Sequence, residues 1–196
     1  MDLGNTLANR IIPYLPRLAK RGIAVTALLN CGLNNCVYET SDPNIVIKLS
    51  DSIHEARFCH KLLNFYPLSF FPRIFQVFTL GKGINKVYFI LRENLKDIKI
   101  PSSAKHSFQR FTRQCQWISQ RTILGSYKEI KLAIAFLKHL AAIRSHNPWY
   151  GQQTQQIIKP YIWALKNNIE LDDTVLIENW GQRNGKFMLR DLDYLI

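Results

Sequence analysis

Residues 31–56 read CGLNNCVYETSDPNIVIKLSDSIHEA, and the fold turns on how this stretch is read. A tight turn at Gly32-Leu33-Asn34-Asn35 separates an incoming strand from a returning one at Cys36 to Thr40. A second turn, Ser41-Asp42-Pro43-Asn44, leads into the β-rich run Ile45 to Leu49, and Asp51 or Ser52 then opens a helix. Lys48 stands inside that apolar run. An ammonium group is costly to bury unless an anion meets it. The Glu55 carboxylate, near the start of the next helix, is one such anion, and a bound phosphate is another. Plainer readings stand beside these. A lysine in a strand commonly points to solvent, Ser52-x-x-Glu55 is also a capping box, and Gly32 to Asn35 alone is an ordinary hairpin turn.

Working outward, Ile23 to Leu29 is a strand before the first turn. The helix from Ser52 to about Asn64 puts Ile53, Ala56, His60 and Leu63 on one face. Pro67 and Pro72 bracket a loop, and Ile74 to Leu80 and Lys86 to Leu91 are strands joined by Gly81-Lys82-Gly83. That makes five strands with one helix after the third. Beyond Ala104 the periodicity turns helical, over Ser107 to Gln120, Lys128 to Ile143 and Gln153 to Asn167, with Pro160 a kink or a break. Asn184-Gly185 then joins a strand at Trp180 to Arg183 with one at Phe187 to Arg190.

The order of turn, strand lysine and helix glutamate resembles the protein-kinase-like superfamily. In that family a Gly-x-Gly-x-x-Gly-x-Val loop covers nucleotide phosphates, and a strand lysine pairs with phosphate and with a glutamate on the following helix. Here the loop is Asn30-Cys31-Gly32-Leu33-Asn34-Asn35-Cys36-Val37, with Asn30 and Asn35 at the outer glycine positions. Asn tolerates left-handed backbone better than other non-glycine residues. The resemblance implies that Gly32, Asn34, Asn35 and Val37 cover the phosphates, that Lys48 holds phosphate, and that Glu55 orients Lys48. Arg92-Glu93-Asn94-Leu95 falls at the hinge, where the adenine edge is met, so Glu93 joins the cofactor-binding set.

The same family places a metal-binding Asn before a hairpin and a metal-binding Asp after it. Asn179-Trp180-Gly181 looks like the Asn-Trp-Gly hairpin of small bacterial and phage kinase-like proteins, which assigns Asn179 and Asp191 to magnesium. Hard oxygen ligands suit that ion. Asp193 is a rival to Asp191 if the hairpin register slips by two, and the plain alternative is a turn cap at Asn179 and a strand end at Asp191. The family's catalytic Asp lies five residues before the Asn, where this chain has Thr174. Asp173 is the candidate base if the loop carries an insertion. Otherwise the base is absent, and Thr174→Asp is expected to raise a slow activity if Asn179 and Asp191 are well placed. Losing a general base typically costs about 10²–10⁴ in rate. The chain stops five residues after Asp191, which leaves none for an activation segment. The resemblance covers roughly residues 22–95 and 170–196.

Composition bounds the rest. At 196 residues and 47% hydrophobic the chain can bury a core. A formal net charge of +12 calls for an anionic partner: nucleotide, nucleic acid, acidic protein or lipid headgroups. The arginines at 110, 113 and 121, interleaved with Phe108, Phe111 and Trp117, read as the solvated cationic face of an amphipathic helix or as a nucleic-acid grip. Four cysteines lack metal-ligand spacing and, without a secretory signal, read as reduced thiols in a cytoplasmic protein. No apolar run reaches membrane-spanning length.

The expectation is an α+β chain with a two-lobed, protein-kinase-like fold. Residues 1–21 form an amino-terminal arm. Residues 22–95 form a five-stranded antiparallel lobe with one inserted helix, and 96–196 a reduced, mainly helical lobe carrying the hairpin. The resemblance implies Mg·ATP bound in an interlobe cleft, with weak or specialised phosphotransfer to an unknown protein or small-molecule substrate. The alternatives are a pseudokinase-type regulator acting by protein binding and a basic nucleic-acid-binding protein.

Overall fold

In the computed structural model, which describes residues 9, 11–31, 35–64, 68–81, 86–171, 174–190 and 194–195, the chain is α+β and divides into two units. One takes in Met1–Pro67 and Arg73–Asn94, the other Leu68–Pro72 and Leu95–Ile196.

In the first unit, β1 (Val25–Cys31), β2 (Asn35–Thr40), β3 (Ile45–Ser50), β4 (Ile74–Leu80) and β5 (Val87–Glu93) form one sheet. Its order is β1-β2-β3-β5-β4, with every pairing antiparallel. Side chains alternate along β2: Cys36, Tyr38 and Thr40 are buried, and Asn35, Val37 and Glu39 half-buried. Cys36 and Tyr38 of that row join Ile47, Leu49 and Phe89 in a core that Ile11 and Leu18 complete from the arm. In that arm Pro13 and Pro16 begin a 3₁₀ turn (Ile12–Tyr14) and the short helix α1 (Leu15–Ala19). Proline suits these positions because the first amide of a helix has no partner to lose.

Strand β3 is different, because Val46 through Ser50 are all buried. The core covers one of its faces. The other belongs to the side chains of Val46, Lys48 and Ser50, where helix α2 (Ile53–Asn64) packs. The buried face of α2 is Glu55, Ala56, Phe58, Cys59 and Leu62. Periodicity had put Ile53 and His60 inward; both are exposed. The helix is turned to carry Glu55 inward instead.

The second unit begins with β6 (Lys96–Asp97) and continues through α3 (Ser102–Thr122) and α4 (Tyr127–Arg144). Two short helices follow, α5 (Thr154–Ile157) and α6 (Lys159–Asn167), so Pro160 marks a break rather than a kink. Then come β7 (Glu170–Leu171), a 3₁₀ turn at Ile177–Asn179, β8 (Trp180–Arg183), β9 (Lys186–Leu189) and β10 (Tyr194–Leu195). The strands order as β6-β8-β9 and as β10-β7. Asn184 and Gly185 sit at φ 51° and 73°, the pair of positive values that a tight type I′ hairpin requires. Phe108 of α3 meets Tyr150 and Trp180 edge-on, at ring separations of 5.5 and 5.9 Å.

Candidate functional site

Lys48 does not point to solvent. Its register partners are Val37 on β2 and Ile90 on β5, so the three side chains share the face that α2 covers. Lys48 Nζ lies 2.6 Å from Glu55 Oε1, and both side chains are 2% exposed. Ser52 Oγ accepts the Glu55 amide N–H at 3.1 Å, which is half of the capping box. The other half is replaced: the Ser52 amide donates to Ser50 Oγ at 3.1 Å, and the Glu55 carboxylate goes to the lysine. Glu55 Oε2 is buried with no hydrogen-bond partner among the described residues. A buried carboxylate oxygen in that state has capacity for one more donor.

Other predicted residues of this unit sit as follows. Asn35 heads β2 opposite Ser50, and Gly32 and Asn34 lie outside the described residues. Glu93 ends β5; its Oε2 accepts the Arg73 amide N–H at 3.0 Å, and its own amide donates to the Arg73 carbonyl. Arg92, which the sequence left without a role, is 5% exposed and shares a face with Lys48 through its register partner Val46. An arginine beside a predicted hinge carried no signal of burial.

Cys31 and Cys36 are opposite one another across β1 and β2 and are joined by a disulfide, with Cα atoms 4.1 Å apart. This replaces the expectation of four reduced thiols. Sequence spacing alone did not reveal that the hairpin register makes these two cysteines neighbours. Cys59 and Cys115 are buried thiols outside any disulfide, and burial pushes the Cys115 thiol far up, so it holds its proton. Thiol titration of the unreduced, native protein should therefore find no reactive group; denaturant should release two thiols, and reductant with denaturant four. Four thiols without reductant would mean that the bridge does not form.

In the second unit the hairpin register sets Asn179 beside Arg190. Trp180 pairs with Leu189, and the Arg190 amide donates to the Asn179 carbonyl at 2.6 Å. Asp172, Asp173, Asp191 and Asp193 lie outside the described residues. Gly181 is a packing requirement, since a Cβ there would come within 2.5 Å of Leu95 Cβ and 3.0 Å of Arg190 Nε. That close approach lets Arg190 reach the Leu95 carbonyl and the Asp97 carboxylate, at 3.0 and 2.7 Å.

Thr174, where the resemblance in the sequence would expect a catalytic Asp, is wholly buried. Its hydroxyl donates to Gln116 Oε1 at 2.8 Å, and its carbonyl accepts the Trp180 indole N–H at 2.8 Å. A threonine so held serves packing. Among the described residues no cluster of three or more His, Cys, Asp or Glu side chains could hold a metal ion. None of their helices is long and apolar enough to cross a membrane.

A solved structure of a thermostable mutant of the aminoglycoside phosphotransferase APH(4)-Ia, in its apo form, is similar at 10% identity and a TM-score of 0.39. The match spans 88% of this chain and 68% of that one. No protein-family profile matches the sequence, and no curated protein does.

Proposed function

We propose that this chain is a kinase-like protein that binds Mg·ATP and transfers phosphate slowly or to a specialised substrate. The observation that carries this reading is the Lys48–Glu55 pair, 2.6 Å apart and shielded from water on both sides. A buried ion pair contributes little stability by itself, so it calls for a reason other than folding. Positioning an ammonium group for phosphate is such a reason. Val37, on the same face as Lys48, is suited to cover the nucleotide with Gly32, Asn34 and Asn35, and Glu93 belongs at the adenine edge. Asn179 and Asp191 would hold magnesium, which when bound neutralises phosphate charge. The Asn179–Arg190 backbone bond favours Asp191 over Asp193, because Asp191 is one Cα step of about 3.8 Å from Arg190. Asp173 is the candidate base.

Thr174 favours a second reading. With its hydroxyl engaged by Gln116, it offers no base, and a pseudokinase-type regulator that binds nucleotide without turnover fits that detail.

Thermal melting tests the shared claim of nucleotide binding. A ligand at a hundred times its dissociation constant stabilises the folded state by about 2.7 kcal/mol. One kcal/mol moves the melting point of a domain this size by roughly 2–4 °C. Saturating Mg·ATP should raise the wild-type melting point on the order of 5–10 °C. Lys48→Met, read against its own ligand-free baseline, should show no shift. Asp191→Asn should lose the magnesium-dependent part, and Asp193→Asn should keep it. A wild type indifferent to Mg·ATP would refute the proposal. ATP turnover removed by Asp173→Asn would decide against the pseudokinase reading.

A further inference from the structure

We propose that the groove between α3 and α4 is a docking site for an acidic amphipathic helix of a partner protein. Helix α4 carries two apolar stripes where a helix at a protein surface ordinarily has one. Ala133, Leu137, Leu140 and Ala141 are buried. Leu132, Phe136 and Ile143 form a second stripe and remain 62, 55 and 56% exposed. Across the groove Trp117 of α3 is 56% exposed, with the Arg121 guanidinium 4.6 Å from its ring centre. The space between the two helices is about 500 Å³, with Trp117, Arg121, Glu129, Leu132 and Phe136 among its walls. Isolated apolar side chains at a surface need no explanation, but a grouped set around one concavity marks an interaction site. A trough between two helices joined by a short turn takes a third helix through anchors at helical spacing.

Charge decides what kind of helix. Residues 102–144 hold eight Lys or Arg and a single acidic residue, Glu129. The Glu129 carboxylate is already taken by the Ser126 amide and hydroxyl, at 2.6 and 2.7 Å. Those hydrogen bonds hold its pKa below the usual carboxylate value. Arg110, Arg113 and Arg121 stand 7, 4 and 4 positions from Trp117 and line the same side of α3. An occupant with apolar anchors between acidic flanks satisfies both features. Nucleic acid would meet the cations but leave Leu132, Phe136 and Ile143 without apolar contact. A second copy of this chain, docked symmetrically, would set the same cations against each other.

The probe is a fluorescently labelled, side-chain-stapled peptide of 18 residues, the length of α4, with a leucine stripe flanked by glutamates. Its counterpart carries lysines in place of the glutamates. The full chain should bind the acidic peptide at least about tenfold more tightly than the basic one, and more weakly as salt rises. Phe136→Glu and Leu132→Glu should each weaken binding by about tenfold or more. Arg121→Glu should weaken it and flatten the salt dependence. Both apolar sites are exposed, so near-ultraviolet circular dichroism and the melting point should stay close to wild type. Absence of binding to the acidic peptide overturns the proposal. So does equal affinity for the two peptides, displacement of the peptide by single- or double-stranded oligonucleotides, or a dimer that Phe136→Glu dissolves.

Discussion

Glu55→Ala should destabilise the first unit by about 3–5 kcal/mol, the loss expected when one partner of a buried ion pair is removed. The cost comes from what remains. Lys48 keeps an ammonium group at 2% exposure, between Val37 and Ile90 on its own face of the sheet, without its carboxylate. Lys48→Met should cost a comparable amount by leaving Glu55 charged and enclosed. The double variant Lys48→Met/Glu55→Leu separates pair from packing. Replacing a buried pair by apolar residues of similar volume is commonly neutral, or stabilising by about 1–4 kcal/mol, so this variant should recover the stability that either single change loses. It should recover none of the nucleotide response. Urea unfolding of the four proteins measures the first part, and melting with Mg·ATP the second. A Glu55→Ala protein as stable as wild type would mean that water reaches the lysine.

Thr174→Asp carries the second large effect, and the structure reverses its sign. From the sequence, an aspartate at this position restores a missing base. In the fold, Thr174 is fully buried, its hydroxyl donates to Gln116 Oε1, and its carbonyl holds the Trp180 indole. A carboxylate there would face an amide oxygen unless the Gln116 amide turned over, and the Trp180 bond opposes any shift of the backbone. The substitution should cost about 3–5 kcal/mol, the penalty for an uncompensated buried charge. That corresponds to a fall of roughly 6–20 °C in melting point. ATP turnover should not rise. A Thr174→Asp protein that melts with the wild type and turns over faster would show that the loop opens and that the family's geometry is attainable.

Where local chemistry dominated, the sequence was legible. Ile74 to Leu80 was read with its observed bounds, and Asn184-Gly185 was read as a hairpin because few other pairs accept positive φ at both positions. Strand β1 was read two residues early. It is an edge strand with register irregularities between Val25 and Ala27 and between Leu28 and Asn30, and it is exposed over most of its length, so period-two patterning fails there. The face of α2 was misread because its apolar residues fit two rotations almost equally. The Lys48–Glu55 contact selected one.

What the sequence determined by itself was the order of elements: five strands, a helix after the third, a helical stretch and a closing hairpin. Turn chemistry and hydrophobic period act over a few residues, so they are written locally. What only the tertiary structure decided were the pairings between distant positions. Register across β1 and β2 made Cys31 and Cys36 partners, and the packing of α2 on β3 selected, between the two readings of Glu55, the counter-ion over the full capping box. The enclosure of Thr174 by Trp180 and by Gln116, which is distant in the chain, was likewise set by the tertiary structure. Burial and its cost depend on which remote side chains exclude water, and no short stretch of chain carries that information.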